Sequence, residues 1–324
     1  MLLALKKSIS FVLLSLCASL LSSCSEQDSA KELQATLFLL DASRSSILSI
    51  PQRELQLRER LNKAFERKEA IYFDFIRNNS TKQQISSLVS MQTIVEVDDI
   101  ILSEINNERR QTQARNSTSE LWRQSLINTK NVEDCINQGA TSLEVNSVLD
   151  DQEARTIAQY VCTSASKAKE VLSAIKRIGT GGKNENDYIG SDIQGAFSRG
   201  FRKLESDSRN LYSPGNVKYS LGRRTVVLSS DMVQVSSSEN SVIDVIGDMN
   251  EEQVEQYVKE RSGQPSPSGF FAIVKIDGWL NTKKKFSEKE RQVLETYWKK
   301  WFYFGFELEE IDFGLGVIDW SVDQ

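Results

Sequence analysis

The chain has 324 residues with 39% hydrophobic content, enough to bury one large core or two modest ones. Its 40 basic and 45 acidic residues argue against nucleic acid as a partner. It contains no histidine, which excludes a Ser-His-Asp triad, a Cys-His dyad and every His-ligated zinc site; an enzyme built from it would rely on carboxylates, lysine, tyrosine or a hard metal.

The first segment reads as an export signal. Lys6 and Lys7 precede a nearly uncharged apolar stretch from Ile9 to Leu21, too short and too serine-rich for a spanning helix. It ends Leu21-Ser22-Ser23-Cys24, which resembles a bacterial lipobox, and the resemblance implies cleavage after residue 23 and acylation of Cys24. Several acyl chains on one residue give firm anchoring, since each buried CH₂ adds about 0.8 kcal/mol. Ser25, rather than Asp, follows the cysteine; by the lipoprotein sorting rule this points to the periplasmic face of the outer membrane if the cell is Gram-negative. Loss of residues 1–23 leaves 38 basic and 45 acidic residues, a net charge of −7. The expected organisation is a signal at 1–23, a tether at 24–31 and one α/β domain at 32–324. In that mature chain Cys135 and Cys162 remain as a pair in an oxidising compartment, for which a disulfide is the economical reading and two buried thiols the alternative.

The domain opens with a buried strand, Leu37 to Leu40, followed by Asp41, Ser43 and Ser45 at alternate positions. An acid at the carboxyl end of a strand lies where open α/β sheets bind ligands, and one carboxylate with two hydroxyls is a hard-oxygen set suited to Mg²⁺, Mn²⁺ or Ca²⁺. The plainer alternative makes Asp41 or Ser43 a helix N-cap. Ser46 to Arg67 reads as an amphipathic helix with Pro51 near its first turn, and Ala70 to Ile76 as a strand parallel to the first. Gln92 to Val97 reads as a short edge strand. Asp98 to about Gly179 then shows helical runs, Ile100 to Arg115 and Asp151 to Ile178, and no clear strand. This is a helical insertion carrying both cysteines, either a partner-recognition element or a pack against the sheet's edge.

Thr180 to Lys183, TGGK, lacks the first glycine of a phosphate loop and no apolar strand feeds it. Tyr188 to Leu204 is a Gly-Ser-Asp turn opening an amphipathic helix, in which Ser191 is either an N-cap or a ligand. Arg223 to Asp231 is a strand ending in Ser229, Ser230 and Asp231. Glu251 to Ser262 reads as a helix, residues 263–269 as a turn and Phe270 to Ile276 as a fifth strand. Ser287 to Phe304 is a helix with a Ser287…Glu290 capping box, and Phe313 to Trp320 a sixth strand. Lys283 to Lys285 is a solvated turn or a contact for anionic polymer.

Two apolar strands ending in aspartate, with a hydroxyl turn between them, resemble the von Willebrand factor A (vWA) domain and its metal-ion-dependent adhesion site (MIDAS). Asp41-Ala42-Ser43-Arg44-Ser45 matches that family's Asp-x-Ser-x-Ser. Ser191 stands where the family has threonine, with Ala196-Phe197 on the following helix face, and Asp231 stands at the second aspartate. The resemblance implies a doubly wound, mostly parallel six-stranded sheet (vWA/Rossmann-like) with a helical insertion. It also implies a Mg²⁺ site (or Mn²⁺/Ca²⁺) at Asp41, Ser43, Ser45, Ser191 and Asp231, and a partner protein of the envelope or exterior that supplies an acidic side chain. The expected molecule is a lipid-anchored binding protein rather than an enzyme. The alternatives are a structural envelope lipoprotein with a degenerate site, and a Mg²⁺-dependent phosphohydrolase of haloacid-dehalogenase type, which needs an aspartate where this chain has Ser43.

Overall fold

The computed structural model describes residues 31–42, 50–77, 85–147, 149–179, 191–209, 219–233, 242–262, 272–280, 285–314 and 318–321. The signal segment, Cys24, Ser43, Ser45, the 180–183 run and the 263–269 turn lie outside them. Within them the chain is α/β, a six-stranded sheet ordered β3-β2-β1-β4-β5-β6. The strands are β1 (Lys31–Asp41), β2 (Glu69–Ile76), β3 (Ser86–Val89), β4 (Tyr219–Ser229), β5 (Ile273–Asp277) and β6 (Ile311–Phe313). All neighbours pair in parallel except β3, which runs antiparallel to β2. Among the described residues no helix is long and apolar enough to cross a membrane.

β1 is the central strand because it is apolar on both faces. Leu33, Leu37, Phe38, Leu39 and Leu40 are fully buried, as a strand covered by helices on both sides requires. On one face lies α6 (Ile193–Arg209), which approaches so closely at Gly200 that a Cβ there would stand 2.5 Å from Leu37. Phe197 of α6 meets Trp301, Phe302 and Phe306 of α9 (Glu288–Phe306), so the two helices form one aromatic layer. The capping box expected at Ser287 and Glu290 is formed. The short α7 (Val242–Ile246) and α8 (Glu251–Arg261) pack against α9.

On the other face lies α1 (Ile50–Asn62), whose buried side includes Arg53, Gln56 and Arg60. Each arginine meets an acid on the sheet: Arg53 pairs with Asp277 at 2.6 Å and Arg60 with Glu69 at 2.6 Å. Burial pulls the Arg53 pKa down, and Asp277 opposes that pull.

The insertion is α3 (Glu108–Asn128), α4 (Val132–Ser147) and α5 (Asp151–Gly179). α5 rests on α1 and on β3, and Trp122 of α3 donates its indole N–H to the Leu61 carbonyl. Cys135 of α4 and Cys162 of α5 form a disulfide, as expected.

Two expected strands are corrected. Gln92 to Val97 lies inside α2 (Met91–Glu104) and is not a strand. Ser90 caps that helix by accepting from the Thr93 amide, and Met91, Ile94, Val95 and Ile101 fall on one buried side. The β-branched run T-I-V-E-V therefore follows the 3.6-residue period once a cap fixes its start. The edge strand is instead Ser86–Val89, just before the cap. Likewise, β6 ends at Phe313, where the expected strand was to begin. Trp320 instead folds back onto Phe38, ring centroids 4.7 Å apart, and donates its Nε1–H to Asp277. The helix expected over Ile100–Arg115 is broken at residues 105–107, where Asn107 caps α3.

Candidate metal site at the sheet switch point

From β1 the chain first builds outward through β2 and β3, then crosses to β4 on the opposite side. The β1/β4 junction is thus the topological switch point, where a crevice opens beyond the strands' carboxyl ends. Asp41 is the last residue of β1 and is 1% exposed. Leu40 pairs with Ser229, so the next residues, Asp41 and Ser230, stand abreast at that crevice.

Both oxygens of Asp41 accept hydrogen bonds from hydroxyls. Ser191 Oγ donates to Oδ1 at 2.8 Å, and Ser230 Oγ donates to Oδ2 at 2.8 Å. Ser191 is buried, and its position is fixed from both sides. The Asp192 amide donates to the Arg77 carbonyl beyond the end of β2, and the Asp192 carboxylate caps α6 through the Gly195 amide. The N-cap role open to Ser191 therefore belongs to Asp192, which leaves the serine hydroxyl for Asp41. A Cβ at Gly195 would sit 2.2 Å from the capping carboxylate and push it aside, so glycine there lets the cap close.

The turn after β4 is held as tightly. Ser230 donates its amide to the Asp277 carbonyl, its Oγ accepts from the Met232 amide, and Asp231 Oδ1 accepts from the Val233 amide. The Leu280 amide reaches the Asp231 carbonyl, and the Trp298 indole reaches the Met232 carbonyl at 2.9 Å. Met232, fully buried, takes φ +60 and Leu280 takes φ +53, backbone regions that cost a non-glycine residue about 1–3 kcal/mol. Strain held by several converging bonds is a usual property of binding loops.

The structure thus brings together Asp41 and Ser191, and places Asp231, also buried, one residue beyond the Asp41 partner. Ser43 and Ser45 lie outside the described residues. The sequence reading missed Ser230, although it named the residue at the strand end; the register between β1 and β4 is what selects it. It also ended the fifth strand at Ile276 and so missed a third strand-end acid, Asp277. That carboxylate is held by Arg53, the Trp320 indole and the Ile318 amide on the α1 side of the sheet, so it serves packing.

Beneath the site, Asp74 of β2 pairs with Arg199 of α6 and accepts from the Phe75 amide at 2.8 Å. Burial pushes the Asp74 carboxyl up, against the downward pull of Arg199. This pair ties α6, and through it Ser191, to the sheet.

Comparison with family models, curated proteins and solved structures finds no match. The site is accordingly judged on its chemistry. Among the described residues no group of three or more His, Cys, Asp or Glu is placed to hold an ion. The donors at the switch point are instead one carboxylate and hydroxyls. Ser191, which donates its single hydrogen to Asp41, keeps oxygen lone pairs for a cation, so its bond fits a hard-metal donor set.

Proposed function

We propose that the chain is a vWA-like domain of a bacterial lipoprotein, tethered through acylated Cys24, that binds a protein partner through a divalent cation. Asp41 and Ser191 would hold the ion with Ser43 and Ser45, and Asp231 would act from outside the inner set. Mg²⁺ suits these hard oxygens, with Mn²⁺ or Ca²⁺ as substitutes. The partner would be an envelope or extracellular protein offering an aspartate or glutamate to the remaining coordination position. The chain has no histidine, so turnover would have to rely on carboxylates, lysine or tyrosine, and binding is the simpler use of this donor set.

The observation that carries this reading is the convergence of Ser191 and Ser230 on the buried Asp41 carboxylate at the sheet's switch point. The test is thermal unfolding of the purified protein across a Mg²⁺ titration, with Asp41→Ala beside it. A ligand that binds only the folded state stabilises it by about 2.7 kcal/mol at a hundredfold excess over Kd. The expected outcome is a saturable rise in Tm that EDTA reverses and Asp41→Ala lacks.

The same bonds support a second reading, a structural envelope lipoprotein with a degenerate site, because both Asp41 oxygens already have hydroxyl partners. Identical melting curves with and without Mg²⁺ decide for it.

A further inference from the structure

The face of the sheet turned toward α1 has a polar patch that the switch-point site does not use. Phe38, Val227 and Lys275 form one row across β1, β4 and β5. In a sheet covered on both faces such a row is ordinarily apolar throughout. Lys275 breaks that rule while being only 8% exposed.

The ammonium of Lys275 makes no hydrogen bond or ion pair among the described residues. Asp312, opposite it on β6, attracts it through space, whereas Arg223 and Arg60 repel it. Burial is the largest influence on its pKa and lowers it. Arg60 is already committed to Glu69 through Nε at 2.9 Å and Nη2 at 2.6 Å. Arg223 is exposed and lines the same cavity as Lys275.

Lys275 lines a cavity of about 20 Å³ together with Thr36, Arg60, Arg223, Thr225 and Trp320. Asp319, exposed, also borders it, with its carboxylate bonded to the Ser321 hydroxyl and amide. The enclosed space suits about one water-sized body, room for one oxygen of a carboxylate whose remainder stays in the mouth. A buried ammonium without a partner is costly, and a carboxylate that reaches it gains a charge-assisted hydrogen bond.

We propose that this cavity is a carboxylate-binding site, in which Lys275 and Arg223 hold the head group of a small organic acid whose remainder faces the open mouth. It stands on the opposite side of the sheet from Asp41 and needs no metal, so it succeeds or fails separately from the cation site.

The test is amine acylation of the purified protein by a water-soluble succinimidyl ester, at constant ionic strength in acetate, chloride or phosphate, with each lysine followed by mass spectrometry. Acetate is expected to slow labelling of Lys275 at least threefold relative to the exposed Lys285, and Arg223→Gln to remove that protection. Tm should rise in acetate over chloride for the parent chain and stay flat for Lys275→Met. Equal labelling in acetate and chloride, or stronger protection by phosphate than by acetate, overturns the assignment. Should Lys275→Met fail to fold, Arg223→Gln, at an exposed position, still decides.

Discussion

The Asp41 carboxylate is legible in the sequence as a strand-end acid, but its partners are not. Ser191 reads in the sequence as either an N-cap or a ligand, and only the neighbouring Asp192 carboxylate, bound to the Gly195 amide, frees it for Asp41. Ser230 could not be chosen over Ser229 or Asp231 without the β1/β4 register, because a shift of one residue turns a side chain to the other face. The two hydroxyls leave a measurable trace even without metal. Ser191→Ala and Ser230→Ala are each expected to lower stability by about 1–3 kcal/mol, the cost of leaving a buried acceptor short of a donor. Because both serve one carboxylate, urea unfolding of the double variant should depart from additivity by about 0.5 kcal/mol or more. Strict additivity would mean that the two serines do not act on a common group.

At the scale of elements, segments with one unambiguous pattern were readable and those with two competing patterns were not. α5, read as Asp151 to Ile178, spans Asp151–Gly179, since one apolar stripe runs its whole length and its polar residues face outward. β2 was readable because AIYFDFI is buried on every residue and so has no competing helical face. The stretch Gln92 to Val97 went the other way: β-branched residues favour strands, yet the Ser90 cap and the tertiary contacts of Met91, Ile94 and Ile101 outweighed them. Residues 318–320 deceived for a different reason, as the Trp320 ring is a plug against Phe38 and not a strand residue. The disulfide, inferred from compartment alone, joins α4 to α5 across 27 residues. Closing a loop of that length removes unfolded-state entropy worth about 3–4 kcal/mol. The Cys135→Ser/Cys162→Ser variant should therefore lose about that much, and hydrogen exchange should show α4 and α5 opening before the β1 and β4 amides. Uniform loss of protection across the sheet would contradict a local role for the bridge.

Across the whole molecule, the carboxyl rim of the sheet carries the candidate cation site, while the opposite rim is tied by one acid. Asp98 of α2 accepts from Lys68, which leads into β2, at 2.9 Å and from Arg115 of α3 at 2.7 Å. Tyr219, at the start of β4, donates to both Asp98 and Asp99. Burial pushes the Asp98 carboxyl up, but the bonds from Lys68 and Arg115 outweigh it and hold the pKa at about 2. A carboxyl held below its unfolded value of about 3.9 contributes stability that is complete above that value and is lost as pH falls toward 2. At roughly 1.4 kcal/mol per pKa unit, this clamp contributes about 2–3 kcal/mol at neutral pH. Asp74 has the opposite sign: burial raises its carboxyl, so protonation relieves a penalty as the pH falls through its raised pKa and partly offsets the loss. Asp98→Asn should accordingly lower the urea midpoint at pH 7 and flatten its decline between about pH 4 and pH 2. The Mg²⁺ response should survive that change, since Asp98 lies at the rim remote from Asp41. A parent chain whose stability is constant over that window would refute the clamp, and a Mg²⁺ response lost in Asp98→Asn would show that the two rims are coupled through the sheet.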